Sequence, residues 1–163
     1  MTYLLVLAFA LVFGTPAFAP PADAQSERVT HVVRTPFQEV IATLHRAVED
    51  QKMVLVCEAD AQKGAKARGV EIRGNRVLMV FRNDFAVRLL AADPAAGYEA
   101  PIRIYVHENA DGTTTVSYRT PSAIFAPYRH PEVRAVAAAL EPIVKNIVDA
   151  ALVAGSASPG TRR

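Results

Sequence analysis

Residues 102–118 read IRIYVHENADGTTTVSY, and this stretch decides what kind of sheet the chain builds. Ile102, Ile104 and Val106 alternate with Arg103, Tyr105 and His107. Beyond Asp111-Gly112, Val116 and Tyr118 alternate with Ser117 and Arg119. Successive strand side chains point to opposite faces, so this period-two pattern predicts strands with one buried and one exposed face. Asp-Gly between two such runs signals a hairpin, because glycine takes the left-handed conformation of a tight turn. Ile102, Ile104, Val106, Val116 and Tyr118 then share the core face. Arg103, Tyr105, His107, Ser117 and Arg119 share the other.

Upstream of the hairpin, strands alternate with helices. Residues 29–34 (VTHVVR) are β-branched and predict a first strand. Thr35-Pro36 opens a helix, with Thr35 as N-cap and Pro36 at the first helical position. Phe37, Val40, Ile41, Leu44 and Val48 form its apolar stripe. Residues 53–58 predict a second strand, and Asp60 caps a short helix through Ala67 that Gly69 stops. Residues 77–82 (VLMVFR) are apolar enough to predict a strand covered on both faces. Asn83 is placed as the cap of the next helix, with Phe85, Leu89 and Leu90 turned inward and Asp93-Pro94 ending it. An alternative turn at Gly74-Asn75 would pair residues 70–73 with 76–79. The last helix is predicted over residues 131–153, with a stripe running from Val133 to Ala151. Pro142 is expected to kink or split it.

The element order β-α-β-α-β-α-β-β-α predicts a single α+β domain of five strands over residues 29–153, followed by a flexible tail over residues 154–163. The chain has 163 residues and a net charge of +2. That charge is too mild and too evenly spread to imply nucleic acid. Cys57 is the only cysteine, so no intramolecular disulfide forms, and a thiol within a strand reads as a small buried hydrophobe.

Residues 3–13 (YLLVLAFALVF) are apolar, and Gly14, Pro16, Pro20 and Pro21 stop the run well short of the ~20 residues of a spanning helix. No Lys or Arg precedes Tyr3. Ala22-Asp23-Ala24 supplies a small-x-small site, whereas cleavage after Ala19 would leave Pro20 first. Residues 1–24 are therefore expected to be a signal peptide cut after Ala24. A periplasmic or secreted protein follows from this, with no stable membrane insertion after cleavage.

Three further stretches, in order, resemble a known family. They are Val77-Leu78-Met79-Val80-Phe81-Arg82-Asn83, the run LLAADPAAGYEAPIRI over residues 89–104, and Asp111-Gly112 followed by VSYRTP over residues 116–121. Together they make the chain similar to domain-of-unknown-function family 302, from about Thr30 to Leu152. The resemblance implies a single twisted antiparallel sheet with helices on one face, TATA-binding-protein-like in topology, and a homodimer. The family pattern has Gly then Asn-Pro after the third strand, where Arg82-Asn83-Asp84 stands here. No activity comes with the resemblance.

If helices cover one sheet face only, Arg103, Tyr105, His107 and Arg119 lie on an open one. Arg82 and Glu58 are further candidates for that face, and Asn83 shapes its rim. Guanidinium forks suit carboxylates and phosphates, and Tyr105 offers a ring for stacking. The expected function is an exported, non-enzymatic binding or accessory protein holding a small anionic or amphipathic ligand. One alternative is an enzyme with His107 as general base and Arg103 as oxyanion stabiliser. Another is a purely structural interaction domain. His31, His45, His107 and His130 show no ligand spacing, so no metal or other cofactor is expected. His31 and His107 meet only if the first and fourth strands are neighbours. Tyr118 is expected in the core, with Pro121 stiffening the turn after it.

Overall fold

The computed structural model describes residues 28–154. The expected signal peptide, and the expected tail beyond Ala154, lie outside the described residues. The elements run β1 (Arg28–Val33), α1 (Phe37–Asp50), β2 (Val54–Asp60), α2 (Ala61–Lys66) and β3 (Asn75–Phe81). They continue with α3 (Asn83–Ala92), a 3-10 helix (Pro94–Glu99), β4 (Ile102–Glu108), β5 (Thr114–Arg119), α4 (Pro121–Phe125) and α5 (Pro131–Ala154). The strands form one sheet in the order β1-β5-β4-β3-β2, antiparallel at every step. This is the α+β class that the element order predicts. Among the described residues no helix is long and apolar enough to cross a membrane.

The hairpin register pairs Ile104 with Tyr118 and Val106 with Val116. The core face of β4 and β5 is therefore Ile102, Ile104, Val106, Val116 and Tyr118, all buried. Leu78 and Val80 extend it across β3. Val40, Leu44 and Val48 of α1 close over it, together with Val136, Leu140, Val144 and Ile147 of α5. Each fully buried aliphatic side chain contributes about 1.5–3 kcal/mol, so this two-layer contact dominates stability.

Pro142 does not split α5, which runs as one helix from Pro131 to Ala154. The carbonyl that loses its donor belongs to Ala138, and both residues are exposed, so water can satisfy it. The buried stripe continues on either side, from Leu140 to Val144, and outweighs the ~3 kcal/mol cost of an interior proline.

Other local expectations are corrected. Thr35 is not the cap of α1. Pro36 holds that place, and its carbonyl accepts from Glu39 and Val40. The Thr35 hydroxyl is buried without a partner, while its carbonyl accepts from Thr114 Oγ1 at 2.8 Å. Asn83 is the first helical residue of α3. Arg82, still extended, occupies the cap, so β3 runs straight into the helix. Leu90 is 48% exposed rather than inward. No hairpin forms at Gly74-Asn75, because β3 takes both its edges from β2 and β4.

Nor is β3 covered on both faces: Val77 and Met79 are only half-buried, on the side away from the core. Asp60 does cap α2, accepting from the Lys63 amide at 2.8 Å, and Gly69 follows with φ +72°.

The largest departure lies in β2. The register slips between Leu55 and Cys57, leaving Val56 as an extra residue against Val80 and Met79. Such a bulge exchanges the faces of everything beyond it. Glu58 therefore lies opposite Leu78 on the helix side, not on the open face, and Cys57 is exposed rather than buried. On the helix side Glu58 Oε2 meets His45 Nε2 at 2.6 Å, and Glu58 Oε1 meets Arg76 Nη1 at 2.9 Å. Arg76 Nη2 reaches Asp60 Oδ2 at 3.0 Å. This chain of polar contacts ties α1 to the edge of the sheet.

Candidate functional site

The register sorts the face turned away from α1 and α5 into rows that run across the sheet. Arg28 of β1 pairs with Arg119 of β5. Arg103 of β4 lies one step beyond the Ile104–Tyr118 pair, which sets it beside Arg119. Arg103 pairs with Met79, and Met79 with Cys57. One row is thus Arg28, Arg119, Arg103, Met79 and Cys57: three cations and then two sulfur-bearing apolar groups. The next is Thr30, Ser117, Tyr105, Val77 and Ala59. The third is Val32, Thr115, His107 and Asn75. Neighbouring strands are about 4.8 Å apart, and like charges directly opposite destabilise a sheet.

The arginine row opens into a groove of about 370 Å³. Its floor is the sheet itself, through Arg28, Met79, Arg103, Tyr105, Ser117 and Arg119. Its wall is the segment Tyr98-Glu99-Ala100-Pro101 together with Ile124 of α4. That wall exists because Asp93 caps the 3-10 helix, its Oδ1 accepting from the Ala95 amide at 3.0 Å. Tyr98 stands on the wall, 88% exposed. Glu99 is the groove's carboxylate, and its Oε1 accepts from the Tyr128 hydroxyl at 3.3 Å. Burial, reinforced by the Glu99 charge, holds the Tyr128 phenol above its usual range.

The groove gathers three of the residues named from sequence: Arg103, Tyr105 and Arg119. Tyr105 is oriented by two neighbours. Asn75 Nδ2 donates to its hydroxyl at 2.6 Å, and His107 stacks on its ring at 5.2 Å between centroids. His107 itself stands one row further along and does not line the groove. Its Nδ1 is buried without a partner. Arg119 Nη2 donates to the Ala123 carbonyl at 3.4 Å, which ties the strand end to α4. Asn83 is exposed at the start of α3 and also lies outside the groove.

Arg82 is drawn to α3 instead. It forks onto the Asp84 carboxylate at 2.6 and 3.0 Å and lies over the Phe85 ring. This pairing holds the Asp84 carboxyl below its usual range.

His31 and His107 do not meet, since β5 lies between their strands and His31 opposes Val116 on the core side. Among the described residues no three His, Cys, Asp or Glu side chains come together as a metal site. Arg28, Tyr98, Glu99 and Pro101 escape a reading of the sequence. Arg28 joins only through non-local pairing with β5, and the wall is a single irregular turn whose one local signal is Asp93-Pro94.

Comparison with known proteins follows the same fold. The family model described as "Domain of unknown function DUF302" matches residues 29–151. A crystal structure of an uncharacterized conserved DUF302 protein from Bacillus stearothermophilus superposes with a TM-score of 0.67 at 20% identity. The match covers 77% of this chain and 98% of that one. Among curated proteins none matches.

Proposed function

The chain belongs to the DUF302 family, and from that premise we propose that it is a non-enzymatic binding or accessory protein whose open-face groove holds a small organic anion. The observation that carries this reading is the arginine row. Arg28, Arg119 and Arg103 stand side by side on adjacent strands and line one groove. Guanidinium forks bond carboxylates and phosphates in two places at once, so an anion placed across the row meets donors from three strands. Tyr98 and Tyr105 supply flat apolar contact beside the charge, and Glu99 disfavours anions that approach from the wall side. In this proposal the export signal expected over residues 1–24 sends the protein to the periplasm or outside the cell, and the family resemblance implies that it acts there as a homodimer.

The test is an amide NMR titration of the purified protein with acetate, benzoate and inorganic phosphate. At least one should shift the amides of Arg28, Arg103 and Arg119. Arg103→Ala should weaken that binding about tenfold or more, since a charge-assisted hydrogen bond is worth ~1.5–3 kcal/mol. Arg103 is exposed, so the melting temperature should scarcely change. An Arg103→Ala protein that binds as tightly as the original would overturn the reading, as would amides that no anion moves. Native mass spectrometry of protein recovered from its own periplasm reports copy number and any retained anion together.

A further inference from the structure

A second hollow lies directly beyond the wall of the arginine groove. It measures about 240 Å³ and is bounded by Val56 on the β2 bulge, Phe81 at the end of β3, and Leu89 and Leu90 of α3. Ala100 and Pro101 line both hollows, so a ridge two residues wide is all that separates them. Val56 is 55% and Leu90 48% exposed, which puts branched aliphatic surface in water at the mouth of the trough. Isolated exposed apolar residues are ordinary, but here they converge on one concave strip beside the arginine row. Gly97 lies against the end of the Leu90 side chain, where a Cβ would come within 2.6 Å of Leu90 Cδ2.

We propose that the anion held by the arginine row carries an unbranched alkyl chain, which crosses the Ala100–Pro101 ridge and lies in this trough. The ligand class is then a medium-chain monocarboxylate. This rests on the anion-binding reading of the arginine groove and adds a second subsite to it. Cations on one side of the ridge and an almost wholly carbon-lined trough on the other match a molecule with one charged end and one apolar end. A flat ring is already served by Tyr98 and Tyr105 on the arginine side. Beyond the ridge only Phe81 is aromatic, so the trough suits a chain. At about the 30 Å³ that a small group occupies, the trough holds on the order of eight methylenes.

The experiment is isothermal titration of the whole chain with sodium propionate, hexanoate, octanoate and decanoate, each below its micellar concentration. Affinity should rise about two- to fourfold per methylene throughout the series to decanoate, which is the range from half to full burial of each group, since the trough beyond the ridge takes about eight of them. Leu90→Glu, which sets a carboxylate in the trough from a half-exposed helix position, should bind octanoate no tighter than propionate. Val56→Ser, on the exposed bulge, should blunt the same gain and guards against a misfolded Leu90 variant. Arg103→Ala should weaken every member by a similar factor. If propionate binds in an Arg103-dependent way but longer chains bind no better, the trough proposal fails and the anion site stands. A gain that survives Leu90→Glu and Val56→Ser would place the chain elsewhere and also overturn it. If neither propionate nor any longer chain binds while benzoate or phosphate still shifts the arginine amides, this proposal fails and the anion site stands; if no anion binds, both readings fall.

Discussion

Arg76→Met should cost about 2–4 kcal/mol of folding free energy, and the cost should come mainly from the carboxylates it strands. Arg76, Glu58 and Asp60 have side chains 18%, 20% and 20% exposed, so this is neither a surface pair nor a fully buried one. The two ion pairs, at 2.9 and 3.0 Å, are each worth ~1.5–3 kcal/mol as charge-assisted bonds. Against that sum stands the release of a desolvated guanidinium whose Nε is buried without a partner, itself a cost of ~1–3 kcal/mol. Methionine keeps most of the stem that packs near the Phe37 ring, where the guanidinium carbon lies 5.9 Å from the centroid. The cation–π part lost there is about 0.5 kcal/mol. The remainder reflects two carboxylates on the same side of β2 with no cation between them.

Urea unfolding followed by circular dichroism measures the loss, with an unchanged m-value showing that the folded and unfolded states keep their exposures. Glu58→Gln and Asp60→Asn added to Arg76→Met should recover at least half of it. Amide exchange should quicken most in β2, the edge strand that the network ties to α1. A loss below about 1 kcal/mol would mean that the network is screened like any surface pair, and the reasoning would be wrong. A triple variant no more stable than the single one would show that stranded charge is not the cause.

Two further outcomes test other parts of the fold. Gly74→Ala should destabilise by about 1–3 kcal/mol, because its Cβ would sit 2.4 Å from the ring of Phe37, which is 4% exposed and cannot swing away. The backbone there is held on both sides, Gly74 N donating to Glu108 Oε2 and Gly74 O accepting from Glu108 N. Calorimetry decides it, and an unchanged melting temperature would mean that the Phe37 ring has room to retreat. Burial, followed by the negative charge of Asp149, raises the Tyr118 phenol above its usual range. Above about pH 10 the unfolded chain releases this proton while the folded chain keeps it, so stability should fall as pH rises through that window. Tyr118→Phe should remove part of the slope, Tyr128 sharing the same direction. An identical slope between pH 9 and 11 in both proteins would refute the assignment.

What the sequence discloses follows from how local each signal is. The hairpin was legible because period two over residues 102–106 and 116–118 is a property of neighbours, and Gly112 takes φ +81° in the turn that Asp111-Gly112 announces. The stripes of α1 and α5 were legible for the same reason at helical period. The faces of Cys57 and Glu58 were not, and one cause explains both misses. Without the extra residue at Val56, Cys57 would oppose Leu78 in the core and Glu58 would oppose Val77 on the open face. The bulge reverses them, and nothing in VLVCEAD marks where a strand takes on an extra residue. The groove was half legible. Arg103, Tyr105 and Arg119 follow from the hairpin alone, whereas Arg28 needs the β1–β5 pairing and Tyr98 needs the turn that carries it.

That single inserted residue links stability to the candidate site. On one side of β2 it turns Glu58 toward His45 and Arg76, where the carboxylate helps bind the edge strand to α1. On the other it leaves Val56 exposed as a wall of the trough beside Pro101. A regular strand would send Glu58 to the open face, one row from Arg103 and Met79. A carboxylate there would compete with any anion for the arginines and put charge near the mouth of an apolar trough. The bulge thus keeps Glu58 away from the arginine row. Among the described residues that line the groove the carboxylate is Glu99, which stands on the wall and is engaged by Tyr128. The positive charge of the arginine row is therefore set locally, by register, in a chain whose net charge is only +2.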